Sequence, residues 1–323
     1  MATKARIRFL TNSLSKTVDS SNGEIGHREG VGDTHREYEI NIEPYRNRRR
    51  GKRKSRRVLK CVVINAQSLG NKMEELRTDD FKNRKYHIIS ITETWGKEKI
   101  PDSVYALDGY TMYRRDRLGK IGGGTILYVK EGIEQRVCRP LNTPGYDSSA
   151  WCWIIEKGGK KILVGSIYRS GNDPAENDNL LLEKMNEAGE LAGDNRILIL
   201  GDFNMPNINW EEGDLGRGAS KLEEEFLKVV ADNFLCQHVK IDTRFRNTQS
   251  SRLDLIFTRE NNDVININLQ MPAGRRDHSM LEADFICEWK SKVVQKPRRM
   301  YRKGNFTKII EGLNSVDWKV EFE

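Results

Sequence analysis

The feature that most constrains this chain is a succession of eight short β-rich runs: LKCVVIN, HIISITET, GTILYVK, AWCWIIE, KILVGSIY, RILILGD, RLDLIFT and SMLEADFI. Val, Ile and aromatic side chains suit a pleated, half-buried surface, and runs of this length bounded by Gly and Asn read as strands. Eight are more than one small sheet usually holds, so two sheets packed face to face are expected. Three helical segments interrupt them. One spans about Asn71 to Phe81, with Asn71 and Glu74 at capping-box spacing. A second covers about Asp178 to Ala192, with Leu181, Met185 and Ala188 on one face. A third starts near Ser220, with Glu223 three residues on and Leu222, Phe226, Val229 and Val230 at helical spacing. Helices laid on such a core make a four-layer α/β sandwich of two packed sheets.

Length and charge set the organisation around that core. A chain of 323 residues holds one large domain plus tails, because single cores rarely grow beyond roughly 250–300 residues. Residues 1–57 are polar, rich in Gly, Ser and Arg, and lack any sustained period, which reads as a disordered leader. Its last stretch, RNRRRGKRKSRR from Arg46 to Arg57, carries nine Lys and Arg and no acid, whereas the net charge of the whole chain is +8. The basic site is therefore an arm as much as a surface, suited to nuclear targeting or to a phosphate backbone, and the expected location is the nucleus, with cytoplasm. Residues 58–290 form the folded domain. Residues 291–323 read as a basic linker followed by the short amphipathic segment NFTKIIEGLNSVDW.

Five scattered cysteines without CxxC spacing fit thiols in a reducing compartment, and no His–Cys spacing resembles a zinc site. The N-terminus lacks the apolar core of a signal peptide, and no run approaches the roughly 18 apolar residues that span a bilayer, so no membrane partner is expected.

The strand-like runs end in, or abut, polar signatures: Asn65, Glu93, Tyr168, Asp202 with Asn204, Asp254, and Asp277 with His278. Acids and amides gathered at strand ends imply a cleft that meets something cationic or phosphorylated. A carboxylate such as Glu93 would repel phosphate unless a divalent cation lies between them, and hard oxygen ligands favour Mg²⁺, with Mn²⁺ as an alternative. Asp202 and Asn204, two apart in LILGDFN after a turn-permitting Gly201, point to the same side by period-two geometry. Asp202 then suits a general base for an attacking water, and Asn204 orients that water or a phosphate oxygen. Asp254 and His278 suit a carboxylate–imidazole pair in which a protonated His278 neutralises charge at phosphorus. Asp277 is a second metal or water partner, Tyr168 a hydroxyl donor to phosphate, and Asn65 an amide for the metal shell or the phosphate. The Gly122-Gly123-Gly124 cluster lacks a phosphate-loop ending and reads as a strand-entry turn, and Trp151 and Trp153 read as core.

Taken in order, NAQSL, ITETW, GGGTILYVK, SIYRSGN, GDFN, SRLDLIF and RDHSML resemble the endonuclease/exonuclease/phosphatase superfamily. More closely, they are similar to the apurinic/apyrimidinic-type endonuclease domain of non-LTR retrotransposons, over about residues 58–290. The resemblance implies a DNase I-like four-layer sandwich and Mg²⁺-dependent nicking of double-stranded DNA to leave a 3′-hydroxyl. It implies metal binding on Glu93 with Asn65 and Asp277 nearby, phosphate contact on Tyr168 and Asn204, water activation on Asp202, and an orienting pair of Asp254 with His278. It also places residues 243–247 in a hairpin at a DNA-binding rim, with Arg244, Arg246 and Asn247 as contacts. Arg276, where the family often has Ser or Thr, joins them. The tail is similar to a connector toward a reverse transcriptase, and the basic arms are suited to element RNA. Two other functions fit the same residues: a catalytically idle nucleic-acid-binding domain, and a phosphatase of the same superfamily.

Overall fold

The computed structural model describes residues 57–117, 119, 122–143, 145–246, 248–270, 277–292 and 305–316. The leader up to residue 56, most of the basic linker, Asn247 and Arg276 lie outside them. The first strands are β1 (Val58–Asn65), β2 (Ile88–Thr92), β3 (Tyr110–Arg115), β4 (Thr125–Lys130), β5 (Gln135–Val137) and β6 (Ser149–Ile155). They are followed by β7 (Lys161–Tyr168), β8 (Arg196–Asp202), β9 (Ile208–Asn209), β10 (Asp214–Leu215) and β11 (Cys236–Gln237). The last are β12 (Arg244–Arg246), β13 (Gln249–Ser251), β14 (Asp254–Thr258), β15 (Val264–Gln270) and β16 (Met280–Ile286). Helices are α1 (Met73–Leu76), α2 (Asp79–Asn83), α3 (Asp102–Tyr105), α4 (Ala175–Ala192), α5 (Lys221–Asp232) and α6 (Phe306–Asn314).

Two six-stranded sheets form, in the orders β15-β16-β1-β2-β4-β3 and β11-β14-β8-β7-β6-β5. Each is antiparallel except for one central parallel pair, β1 with β2 and β7 with β8. Alternate residues of each central strand serve different layers. Cys61, Val63, Val164, Leu198, Leu200 and Ile256 fill the space between the sheets. Their neighbours face outward: Val62, Ile64 and Ile89 meet Met73, Leu76 and Tyr105, while Leu163, Ile197 and Phe257 meet Leu181, Met185 and Phe226. Both faces are covered, which is why these strands read as continuous apolar runs rather than as alternation. The result is the expected four-layer α/β sandwich.

Helix α5 opens with a complete capping box: Glu223 N–H donates to Ser220 Oγ at 3.3 Å and Ser220 N–H donates to Glu223 Oε2 at 2.8 Å. Glu223 also accepts from Asn207 N–H at 2.9 Å, so the cap ties the loop after β8 to the helix. Loss of an N-cap hydroxyl typically removes about 1 kcal/mol. Ser220→Ala is therefore expected to lower the unfolding free energy by about that much in a urea titration, with the slope unchanged.

The helix expected from Asn71 to Phe81 is broken. A 3₁₀ turn at Gly70–Lys72 leads into α1, and a new helix, α2, starts after Thr78. Thr78 is its cap, with Oγ1 accepting from Phe81 N–H at 3.4 Å, and Asn71 caps nothing. A Thr in extended conformation competes for the backbone here and ends the first helix.

Candidate active site

Strand direction and alternation gather the polar residues. β1, β2, β7 and β8 all run toward one end of the sandwich, and β14 and β4 start there, so Tyr168, Asp202 and Asp254 form one row across their sheet. Asn65, Thr92 and Thr125 form the matching row in the other sheet. Asn65, Tyr168, Asp202 and Asp254 each share parity with residues of the inter-sheet core, so their side chains point into the gap between the two sheets where it opens. Just below, Ser166 Oγ bonds with Ser90 Oγ at 2.7 Å and with Thr125 Oγ1 at 2.6 Å, a polar step between apolar core and site.

Asn65 is the hinge of the arrangement. Its Nδ2 donates to Glu93 Oε1 at 3.0 Å and to Asp202 Oδ2 at 2.8 Å, so one amide joins carboxylates carried by different sheets. The loop after β1 is zipped to the loop after β2 by Ala66 N–H to Thr92 O at 2.8 Å and Leu69 N–H to Thr94 O at 2.9 Å. Gln67, Ser68, Glu93 and Trp95 have positive φ, a conformation L residues adopt at a cost and one concentrated at functional sites. These turns rotate Glu93, which follows the last residue of β2, toward Asn65.

The GDFN segment differs from the expected geometry. Gly201 lies inside β8, where a Cβ would stand 1.8 Å from Ile167 O, so glycine is required by close approach to β7 rather than by a turn. β8 stops at Asp202, and Asn204 sits beyond it with φ +49°, so the two are not related by strand period. They meet another way: Asn204 N–H donates to Asp202 Oδ1 at 3.2 Å. Asn204 is further clamped by Arg169, whose Nη1 donates to Asn204 O at 2.9 Å while Asn204 Nδ2 donates to Arg169 O at 2.7 Å. The Arg169 guanidinium is itself fixed by Asp178 of α4 at 2.7 Å.

His278 Nδ1 lies 3.0 Å from Asp254 Oδ2, with both side chains almost fully buried. Burial opposes the imidazolium, but Asp254, then Asp202 and Asp277, outweigh it and raise the His278 pKa to about 9. Asp202 is displaced upward from the usual carboxylate range, first by burial and then by the Asp254 charge, with His278 pulling the other way. Burial, Glu93 and Asp202 push the Tyr168 phenol up, which keeps it a proton donor. Asp277 bonds Arg244 Nε at 2.8 Å and Gln67 Nε2 at 3.2 Å; burial opposes its charge, but Arg244 holds its pKa below the ordinary value.

The donors fit a hard divalent cation. Among the described residues no Lys or Arg pairs with Glu93 or Asp202, whose partners are neutral N–H groups, and Asp254 Oδ1 is buried without a hydrogen-bond partner. Ligand atoms of Asp202, Asp254 and His278 also lie within 4.8 Å of one another, but the Nδ1 of His278 is spent on Asp254.

All eight candidate catalytic and metal residues therefore come to one end of the sandwich. Of the four candidate DNA contacts, Arg244 and Arg246 lie on β12, which pairs with β13 as an antiparallel hairpin; the Arg244 guanidinium is engaged by Asp277, while Arg246 is exposed. Gln67, Trp95 and Arg169 take part without a role read from the sequence, and Thr243, from the segment expected at the rim, braces the site instead: its Oγ1 accepts from Asp254 N–H at 3.0 Å. The first three stand inside the quoted motifs, next to residues that were singled out.

Residues 162–282 match the family described as "Endonuclease-reverse transcriptase". Over those residues the chain is similar to that family. Solved structures agree in fold. The endonuclease domain of TRAS1, a telomere-specific non-LTR retrotransposon, is 15% identical, with 72% of this chain and 100% of that one covered at a TM-score of 0.56. The AP endonuclease LMAP from Leishmania major is 13% identical, over 71% of this chain and 88% of that one, at 0.57. An AP endonuclease from Archaeoglobus fulgidus is 15% identical, over 70% and 99%, at 0.52. No curated protein matches the sequence. No helix among the described residues is long and apolar enough to cross a membrane.

Proposed function

We propose that this chain is a Mg²⁺-dependent DNA endonuclease that hydrolyses one phosphodiester bond and leaves a 3′-hydroxyl. The observation that carries the reading is the Asn65 amide joining Glu93 to Asp202 beside the buried Asp254–His278 pair. Glu93 and Asn65 would hold the cation, which when bound supplies charge neutralisation for phosphate. Asp277, engaged by Arg244 and Gln67, stays outside that set and orients the rim. Asp202 takes the proton from the attacking water, and Asn204, clamped by Arg169, orients it. The Tyr168 hydroxyl donates to a phosphate oxygen, and protonated His278, fixed by Asp254, offsets charge as phosphorus becomes five-coordinate.

A polymeric substrate is favoured by a cavity of about 360 Å³ that continues from Asn204 past Arg169 and Asn207 to Arg244. A 3′-hydroxyl product is what a reverse transcriptase extends, in keeping with the matched family's description. The nine basic residues of the arm at 46–57 would add salt-dependent affinity for double-stranded DNA or element RNA and direct the protein to the nucleus.

The test is conversion of supercoiled plasmid to open circles by the purified chain, with Mg²⁺ and with EDTA. Nicking only with Mg²⁺, at a requirement moved to higher concentration by Glu93→Gln, is the expected result. Duplex binding without nicking under any divalent cation would instead leave a catalytically idle binding domain.

A further inference from the structure

Trp95 is the most exposed of the described tryptophans, 42% accessible, yet its indole lies against the Glu93 carboxylate. Its placement is built rather than incidental. The backbone is left-handed at φ +55°, Trp95 N–H donates to Gly123 O at 2.9 Å, and the indole Nε1–H donates to Glu93 Oε2 at 3.3 Å. Beneath it runs the Gly122-Gly123-Gly124 segment, all three with φ near +80°. A Cβ on Gly122 would lie 3.5 Å from the indole nitrogen, one on Gly123 would stand 2.5 Å from Arg117 Cδ and 3.3 Å from Tyr168, and one on Gly124 would stand 2.7 Å from Thr94 Oγ1. The three glycines thus form a floor without side chains, on which Trp95, Thr94 and Tyr168 rest. Their role exceeds the strand-entry turn read from the sequence.

An ordered, water-facing indole has little reason to be held against a carboxylate unless a flat partner covers it. We infer that Trp95 is a substrate-contacting residue: its ring stacks on the base or deoxyribose of a nucleotide flanking the scissile phosphate, with its tilt set by Glu93 and by the glycine floor. The inference rests on the DNA-nuclease reading above. Stacking of this kind tolerates any sequence, because every nucleotide offers a deoxyribose and every unstacked base a π-face.

The experiment uses the full chain in EDTA, where nothing is cut, with a short fluorescein-labelled duplex. Trp95→Leu is expected to weaken binding about tenfold or more, and Trp95→Phe, which keeps a ring, to retain most of the affinity. The tryptophan emission of wild type minus that of Trp95→Phe should be quenched by unlabelled duplex. Circular dichroism and melting of both variants guard against a folding defect; if Trp95→Leu unfolds, the quench and the Phe variant decide alone. Wild-type affinity in Trp95→Leu, or a difference emission that DNA leaves unchanged, overturns the stacking role while leaving the nuclease reading intact. Absence of duplex binding by the wild-type chain would sink both together.

Discussion

Asp202→Asn is expected to lower Mg²⁺-dependent nicking by at least roughly 10²-fold while leaving duplex affinity close to wild type. The side chain is fully buried at the end of β8, and its oxygens are met by Asn65 Nδ2 and Asn204 N–H rather than by a cation. Burial first, and the neighbouring Asp254 charge second, raise its pKa. The sign of the stability effect follows. A carboxyl whose folded pKa lies above its unfolded value contributes stability below the unfolded value and loses it as pH rises through the folded one. At neutral pH, far above the unfolded value, burying the Asp202 carboxyl therefore costs the metal-free fold stability, and the neutral amide should not lower the melting temperature by more than the loss of one hydrogen bond, about 1 kcal/mol. Three readings decide the matter: the initial rate on supercoiled plasmid, duplex affinity in EDTA, and the melting curve of the metal-free protein. Near-wild-type rates would remove the base assignment, and a collapse in melting temperature would make Asp202 a structural residue.

How much of this was legible beforehand depended on burial. Seven of the eight runs read as strands are central or near-central, covered on both faces, and apolar for that reason; β16 instead alternates, with Glu282 and Asp284 half-buried. The strands that went unread include the sheet edges β3, β5, β11 and β15 and the small hairpins. VININLQ of β15 and YTMYRR of β3 are largely half-buried or exposed, so their composition resembles that of loops. The site residues were visible as polar exceptions at the ends of apolar runs. Their partners were not, because no local pattern says that Asn65 spans two sheets or that Arg169 clamps Asn204 across a sequence separation of 35. Positive φ at Glu93, Trp95 and Asn204 was equally hidden: none is glycine, and the strain is imposed by zipped loops that only the tertiary fold brings together.

The Asp254–His278 pair should make the protein's stability and its activity fall over the same pH range. His278 is raised from 6.5 to about 9, burial being outweighed by Asp254 and its neighbours. A cation raised in this way contributes stability that is fully present below the unfolded value near 6.5 and disappears as pH rises through about 9. The shift corresponds to about 3 kcal/mol. Urea titrations of the metal-free protein from pH 6 to pH 10 should show that loss in the wild type, and Asp254→Asn should largely flatten it. A direct check is the His278 ring-proton titration, assigned by comparison with His278→Gln. Removing the imidazole with His278→Ala is expected to slow nicking at least about 10²-fold, with duplex binding retained. The wild-type rate should fall as pH passes 9, because only the protonated ring offsets charge on the phosphoryl group. A His278 ring that titrates near 6.5, together with a rate indifferent to pH between 8 and 10, would mean that Asp254 merely packs beside a neutral imidazole. The charge-offsetting role would then have to pass to another group, of which Tyr168 is the nearest in kind, since burial beside Glu93 and Asp202 keeps its proton on at every pH in that range.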